Sequence, residues 1–195
     1  MGSTKGQSKL HHALPIGSKE RAELRAKIDP KLSHGGKKAV GKRKTARPFS
    51  PKAPTQIFLY SSRAKGLWNL NHRKNRARIL SQIYVYAARF KVHVYKATNE
   101  GNYIHLLVKC DDRKKMADYL RVLAGRVAIG VTGARKYVKR VGKFWDHLCW
   151  SRLVNFGQDF FNTRALFKAN AGEESGLFSP DWLEEVMDGI PIPGS

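Results

Sequence analysis

Acidic residues are scarce in this sequence. Its 195 residues include 15 Asp and Glu but 37 Lys and Arg, a formal net charge of +22. Charge this one-sided repels itself unless a polyanion neutralises it, so we expect nucleic acid as the partner. A membrane is not expected, because no apolar run approaches the roughly 18 residues of a spanning helix, and we expect no signal peptide at the polar, basic start.

Cysteine is scarce as well. Its two occurrences, Cys110 and Cys149, lie in different segments, and neither belongs to a CxxC pair. This excludes a disulfide framework and a zinc knuckle of the usual spacing. A reducing cytoplasm is the location that we expect.

The charge divides the chain into three segments. Residues 1–53 have a net charge of +11, few large apolar residues and many Gly, Ser and Pro, so we expect a basic, largely disordered arm. Residues 54–172 hold nearly all aromatic and β-branched residues and should form the folded domain. Residues 173–195 contain six acidic residues and no Lys or Arg, and Ser179-Pro180 and Gly189 predict the start and end of a short helix in this acidic tail.

Apolar periodicity within the domain alternates between the strand and the helix period. The pattern predicts strands over residues 56–61, 90–97, 103–109 and 144–154, and helices over residues 73–89, 114–129 and 157–170. Strand-helix-strand-strand-helix-strand is the order of a ferredoxin-like α+β sandwich. We therefore expect an antiparallel sheet with helices on one face and the other face open.

The strand from Asn102 to Val108 resembles a metal-binding strand that lacks one ligand. Successive side chains of a strand point to opposite faces, so Tyr103, His105 and Leu107 share one face. Two histidines spaced in this way would form a metal site, whereas a phenol is a far poorer ligand at neutral pH. Taken alone, the segment is more simply explained as a half-buried hairpin strand that carries one histidine.

The segments around this strand carry a family resemblance. They are Gly35-Gly36, Gly41-Lys42-Arg43-Lys44 with Arg47-Pro48, Ser61-Ser62-Arg63-Ala64-Lys65-Gly66, Gly101 to Val108, Val131-Thr132-Gly133-Ala134-Arg135, and Phe144-Trp145-Asp146 through Ser151-Arg152-Leu153-Val154. In this order, over roughly residues 33–176, the chain resembles the REP-associated and insertion-sequence-type tyrosine transposases of the HUH superfamily, which cut and rejoin single-stranded DNA next to hairpins. The resemblance implies a ferredoxin-like fold, hairpin or single-stranded DNA as partner, a homodimer, and a place at the bacterial nucleoid.

The family's chemistry uses three parts. Two histidines and a Gln, Asn or His from the last helix hold Mg²⁺ or Mn²⁺, and a tyrosine one turn before the helix ligand attacks the phosphate. By this resemblance His105 matches the second histidine and Asn170 the helix ligand, whereas Tyr103 replaces the first histidine and Leu166 replaces the nucleophile. No tyrosine follows Tyr137. The resemblance therefore implies a protein that binds DNA without cutting it, and a cation only if the chain is active.

Two stripes are expected on the last helix. Phe156, Phe160, Thr163 and Phe167 form an apolar stripe suited to the core, and Asp159, Asn162, Leu166 and Asn170 form a stripe that would face the site. Leu166 is explained equally well as a side chain that fills the site and as a residue at the edge of the core.

DNA binding would use the basic side chains on phosphates and aromatic rings on unpaired bases. The residues predicted to contact nucleic acid are Lys37, Lys38, Lys42, Arg43, Lys44, Arg73, Arg76, Tyr103, Arg121, Arg135, Lys136, Lys139 and Arg140, and Trp68 and Trp145 are further candidates for stacking. The acidic tail would compete with DNA for the basic surface.

Two alternatives stay open. One is an active nuclease with a nonstandard site, in which Tyr103 attacks after activation by His105. The other is an RNA-binding protein, since a basic arm on an α+β sandwich suits RNA equally well.

Overall fold

The computed structural model describes residues 30–41, 45–134 and 142–170, without the side chains of residues 30, 38, 165, 166 and 168–170. The strands are β1 (Ser33–His34), β2 (Thr55–Tyr60), β3 (His93–Glu100), β4 (Tyr103–Lys109) and β5 (Trp150–Leu153). The helices are α1 (Arg73–Arg89), α2 (Arg113–Thr132) and α3 (Gln158–Asn170).

The five strands form one sheet in the order β1-β5-β2-β4-β3, and every neighbouring pair is antiparallel. Helix α1 connects β2 to β3, and α2 connects β4 to β5. The order β5-β2-β4-β3 with these two crossovers is that of a ferredoxin-like sandwich. The predicted α+β class is therefore confirmed.

Helices α1 and α2 cover one face of the sheet because each has an apolar stripe and defined ends. The His72 side chain accepts a hydrogen bond from the Lys74 backbone at the start of α1, and Asp112 does the same for Lys115 at the start of α2. Helix α2 ends at Gly133, which has a left-handed conformation. The buried residues of this layer are Ile79, Ile83, Ala87, Met116, Tyr119, Leu123 and Val127 from the helices, and Ile57, Leu59, Ile104 and Leu106 from the sheet.

The boundaries of α1 and β4 agree with the prediction, and those of β2 differ by one residue at each end, whereas two strands differ from it by several residues. β3 begins at His93 rather than residue 90, because Phe90 and Val92 donate backbone hydrogen bonds to the last turn of α1. β5 covers only Trp150–Leu153. The preceding residues form a loop in which the Asp146 carboxylate accepts hydrogen bonds from the Ser62 backbone and hydroxyl.

Part of the predicted arm belongs to the sheet. Ser33 and His34 pair with Arg152 and Ser151 as edge strand β1. The Arg47 guanidinium donates to the Cys149 carbonyl oxygen at 3.1 Å and to the Ser151 hydroxyl. Residues 1–29 and 42–44 of the arm and the tail from residue 171 onward lie outside the described residues, as does the helix predicted in the tail.

The second face of the sheet was expected to be open, and this expectation is wrong. Helix α3 lies against it, and Phe160 and Phe167 pack with Leu107 of β4 and with Val154. Among the described helices, none combines the length and the apolar character needed to cross a membrane.

Two glycine substitutions should have opposite effects on stability. A Cβ at Gly35 would overlap the Cys149 carbonyl oxygen, and Gly35 has a φ of +88°, so Gly35→Ala should lower the free energy of unfolding by at least about 1 kcal/mol. Gly125 is a matched control inside α2, because a Cβ added there would have open space around it. Gly125→Ala should therefore raise the free energy of unfolding by about 0.5–1 kcal/mol. Denaturant titration measures both. Equal stability of Gly35→Ala and wild type would contradict the docking of β1.

Candidate functional site on the second sheet face

The second face of the sheet presents polar and aromatic side chains at its centre. In the strand register, Phe58 of β2 lies opposite His105 of β4 on one side and opposite Trp150 of β5 on the other. Tyr60 lies opposite Tyr103, and Gln56 opposite Arg152. Because paired residues point to the same face, the strand that resembles a metal site is surrounded by aromatic rings and one guanidinium.

The His105 ring is enclosed on both faces. The Phe58 ring stacks on one side with centroids 3.9 Å apart, and the Phe167 ring of α3 stacks on the other at 3.8 Å. No part of His105 is exposed to solvent. A phosphate or a hydrated cation therefore has no path to either face of the imidazole in this structure.

The edge of the imidazole is engaged by Gln56. The Gln56 amide nitrogen lies 3.0 Å from His105 Nε2, and the Gln56 amide oxygen accepts a hydrogen bond from Arg152 Nε at 2.7 Å. Since that oxygen faces a guanidinium, the amide nitrogen donates to the histidine, and Nε2 is an acceptor with the proton on Nδ1. The lone pair that a metal would need at Nε2 is thus used inside the protein.

Arg152 connects this strand network to helix α3. Its two terminal nitrogens donate to the two Asp159 carboxylate oxygens at 3.0 Å each, a bidentate pair, and one of them also donates to the Thr163 hydroxyl at 2.9 Å. The Arg152 side chain is almost fully buried, whereas Asp159 is about one-third exposed. Four hydrogen bonds from one guanidinium therefore fix α3 against β5 and β2.

The electrostatics of the network keep His105 neutral. Burial lowers the pKa of His105 well below its ordinary value, and the positive charge of Arg152 lowers it further. A neutral imidazole is the form that ligates metals, but here it is a buried acceptor between two rings. Among the residues that the structure describes, no group of three His, Cys, Asp or Glu side chains is placed to hold a metal ion.

Tyr103 is also buried, with 4 % of its surface exposed. Burial raises the pKa of its phenol, and the nearby Glu100 carboxylate raises it further. A nucleophilic tyrosine needs the opposite shift and an approach path for phosphate. We predicted that the Tyr103 ring stacks on a base. The burial of the ring contradicts this prediction, because no face of it is exposed in this structure.

The helix residues predicted at the site are placed only in part. Leu166 and Asn170 lie within α3, but their side chains are outside the described part of the chain. Phe160, Thr163 and Phe167 are buried, as predicted for the apolar stripe, whereas Phe156 is exposed because it precedes α3. The α3 side chain that lies on His105 is Phe167, a residue that we assigned to the core.

Gln56, Arg152 and Thr163 were missed as members of this network, and Asp159 was predicted to face the site but without its partner Arg152. One signal was present, because Arg152 lies in a short strand with the apolar residues Trp150 and Leu153, and a charged residue in such a place is usually paired when it is buried. Its partner could not be identified from the sequence, because Asp159 lies on another element.

The predicted nucleic-acid contacts are dispersed. Arg73 and Arg76 are exposed on α1, Lys37 is exposed beside β1, and Arg121 on α2 forms an ion pair with Asp118 at 3.0 Å. The Lys38 side chain and residues Lys42, Arg43, Lys44, Arg135, Lys136, Lys139 and Arg140 lie outside the described residues. Of the two other stacking candidates, Trp145 donates through its indole nitrogen to the Ala124 carbonyl oxygen at 2.9 Å, and both Trp68 and Trp145 pack against the core.

The buried histidine should make stability depend on pH. Unfolded His105 takes up a proton below its ordinary pKa of about 6.5, whereas folded His105 does not. The free energy of unfolding should therefore fall by up to about 2 kcal/mol between pH 7 and pH 5 on account of this residue.

The control is His105→Phe, which keeps a ring between Phe58 and Phe167. It leaves the Gln56 amide without its acceptor, at a cost of about 1–3 kcal/mol near pH 7, but it removes the titration. Denaturant titrations at pH 7 and pH 5 give the free energy of unfolding of both proteins. The difference in this free energy between wild type and variant should become smaller as pH falls. A difference in the free energy of unfolding that is the same at both pH values would contradict a buried neutral His105.

Comparison with known proteins finds similarity to a solved structure and to no family model. No protein-family model matches the chain, and no curated protein matches it. Among solved structures, the chain is similar to the "Crystal structure of a putative transposase from Deinococcus radiodurans R1", with 13 % sequence identity and a TM-score of 0.41. The match covers 66 % of this chain and 97 % of that one. Similarity at this level identifies neither the family nor the function.

Proposed function

We propose that this chain is a protein of the HUH tyrosine transposase type that binds hairpin or single-stranded DNA and does not cut it. The family assignment rests on the ordered sequence motifs, and the ferredoxin-like strand order is compatible with it. Binding and the absence of cutting rest on different parts of the molecule.

Binding is supported by one observation above all, the charge of the helix layer. Helices α1 and α2 together carry ten Arg and Lys against a single acidic residue, Asp118. All ten basic residues are exposed. Their ammonium and guanidinium groups would replace counterions on a phosphate backbone, a contribution to affinity that does not depend on sequence.

The absence of cutting is supported by the closed surroundings of His105. Phe58 and Phe167 cover the ring and Gln56 occupies Nε2, so the remaining histidine of the motif has a structural role. A cation bridging this strand to the scissile phosphate would first require α3 to leave the sheet.

The active-nuclease alternative would need Mg²⁺ or Mn²⁺ at His105 and Asn170, or attack by Tyr103. Burial of both Tyr103 and His105 disfavours it. The RNA alternative uses the same cations as the DNA proposal, so competition between hairpin DNA and RNA at fixed salt separates the two. The homodimer and the nucleoid location stay predictions.

Removing helix-layer charge should weaken binding in a measurable way. Lys74 and Arg126 are exposed on α1 and α2. If each contacts one phosphate, the double variant Lys74→Gln/Arg126→Gln should reduce the slope of log K against log salt by about 1.4 for single-stranded DNA. Fluorescence anisotropy with a labelled oligonucleotide at several salt concentrations gives this slope.

The matched control removes the same charge elsewhere. Lys52 and Lys91 are exposed outside both helices, so Lys52→Gln/Lys91→Gln should leave the slope nearly unchanged. Equal slopes for the two double variants would show that the helix layer is not the binding surface.

A further inference from the structure

Helix α1 has an exposed apolar face that the proposed function does not use. Ala77, Ser81, Tyr84, Val85 and Ala88 are all exposed and uncharged, with Tyr84 53 % and Val85 58 % accessible. We call these five residues the apolar face of α1. Large apolar side chains exposed together on one helix are typical of an interaction surface.

Basic residues adjoin this face at both ends. Arg73, Lys74 and Arg78 lie within one helical turn of Ala77, and Arg89 lies one turn after Val85. Phosphates would bind these cations and a base could stack on the Tyr84 ring, but the alkyl side chain of Val85 contributes little to either contact. The surface thus fits a partner that is both acidic and apolar.

The chain contains such a partner at its C-terminus. Residues 173–195 carry six acidic residues and no Lys or Arg, together with the apolar residues Leu177, Phe178, Trp182, Leu183, Val186 and Met187. Twenty-five residues follow Asn170, the end of α3. Because α3 and α1 lie on opposite faces of the sheet, these residues must pass the sheet edge to reach α1. Fully extended they would span about 80 Å, whereas α1 is about 26 Å long, so length remains for that path.

A second copy of the chain is a poorer occupant. Each copy carries a net charge of +22, so two α1 helices would bring like charges together. The C-terminal segment has the opposite charge, and its attachment makes the contact intramolecular.

We propose that residues 173–195 dock on the apolar face of α1 and, by pairing with the adjacent cations, compete with nucleic acid for the helix layer. The regulatory consequence rests on the proposed function, but the contact does not. At an effective concentration of about 1 mM, a segment with an intrinsic Kd of about 0.2 mM would be docked in about five of six molecules, so its release would raise nucleic-acid affinity about sixfold.

Cross-linking tests the contact in the full chain without nucleic acid. A benzophenone amino acid in place of Trp182 should, on irradiation, attach within the same molecule to residues 77–88, as located by peptide mass spectrometry. Cross-links that reach only other parts of the chain, or only a second copy, would overturn the proposal.

A charge substitution tests the competition. Val85→Glu places a carboxylate on the apolar face, and Leu67→Glu makes the same change at another exposed apolar residue, 74 % accessible, outside α1. With the natural tail, Val85→Glu should bind a single-stranded DNA 20-mer several-fold more tightly than Leu67→Glu, because only Val85→Glu repels the acidic segment.

The DNA affinities of Val85→Glu and Leu67→Glu are then measured again in chains with an uncharged tail. In these chains Gln or Asn replaces the acidic residues Glu173, Glu174, Asp181, Glu184, Glu185 and Asp188. Without the charge of the tail, Val85→Glu should no longer bind more tightly than Leu67→Glu, because its carboxylate then only repels phosphate at the basic helix layer. Equal affinities with the natural tail, or weaker binding by Val85→Glu, would overturn the proposal, and the weaker binding would assign the apolar face to nucleic acid. If no variant binds DNA or RNA, the proposed function fails, while the cross-link still decides the contact.

Discussion

The position of helix α3 depends on the buried guanidinium of Arg152. This group contacts Gln56 on β2 and Asp159 and Thr163 on α3 while its own backbone belongs to β5. A buried cation is tolerated only when its donors are satisfied, and here a bidentate carboxylate supplies the counter-charge. Loss of Asp159 would leave that cation uncompensated, so the geometry of the whole second face follows from this pair.

His105 has a structural role because of that arrangement. Arg152 orients the Gln56 amide, which in turn fixes the histidine as an acceptor, and α3 brings Phe167 onto the imidazole ring. The helix that closes the site is therefore held in place by Arg152, which two hydrogen bonds through Gln56 connect to His105. A strand that resembles half of a metal site has become part of a core, while the charge that suits nucleic acid lies on the opposite face, on α1 and α2.

Local patterns predicted the local structure well. The boundaries of α1 agree because its apolar stripe has the helix period, and the β3–β4 hairpin follows from alternation around turn residues. The placement of α3 could not be predicted in this way. A periodic stripe shows which side of a helix is buried but not against which surface. The ring contact that decides it joins two distant segments of the chain, His105 of β4 and Phe167 of α3. In the sequence Arg152 is one of many basic residues in a chain expected to bind DNA, so nothing distinguished it as the buried one except the apolar residues of its strand.

We infer that this fold holds nucleic acid at its basic helix layer while the strand site is closed to cation and phosphate. The most direct test is to incubate the wild-type chain with a hairpin-flanked single-stranded oligonucleotide in Mn²⁺ or Mg²⁺ and to assay for a covalent adduct on a denaturing gel. We expect binding without a protein–DNA adduct and without cleaved strand. A phosphotyrosine adduct, above all one mapped to Tyr103, would contradict this inference.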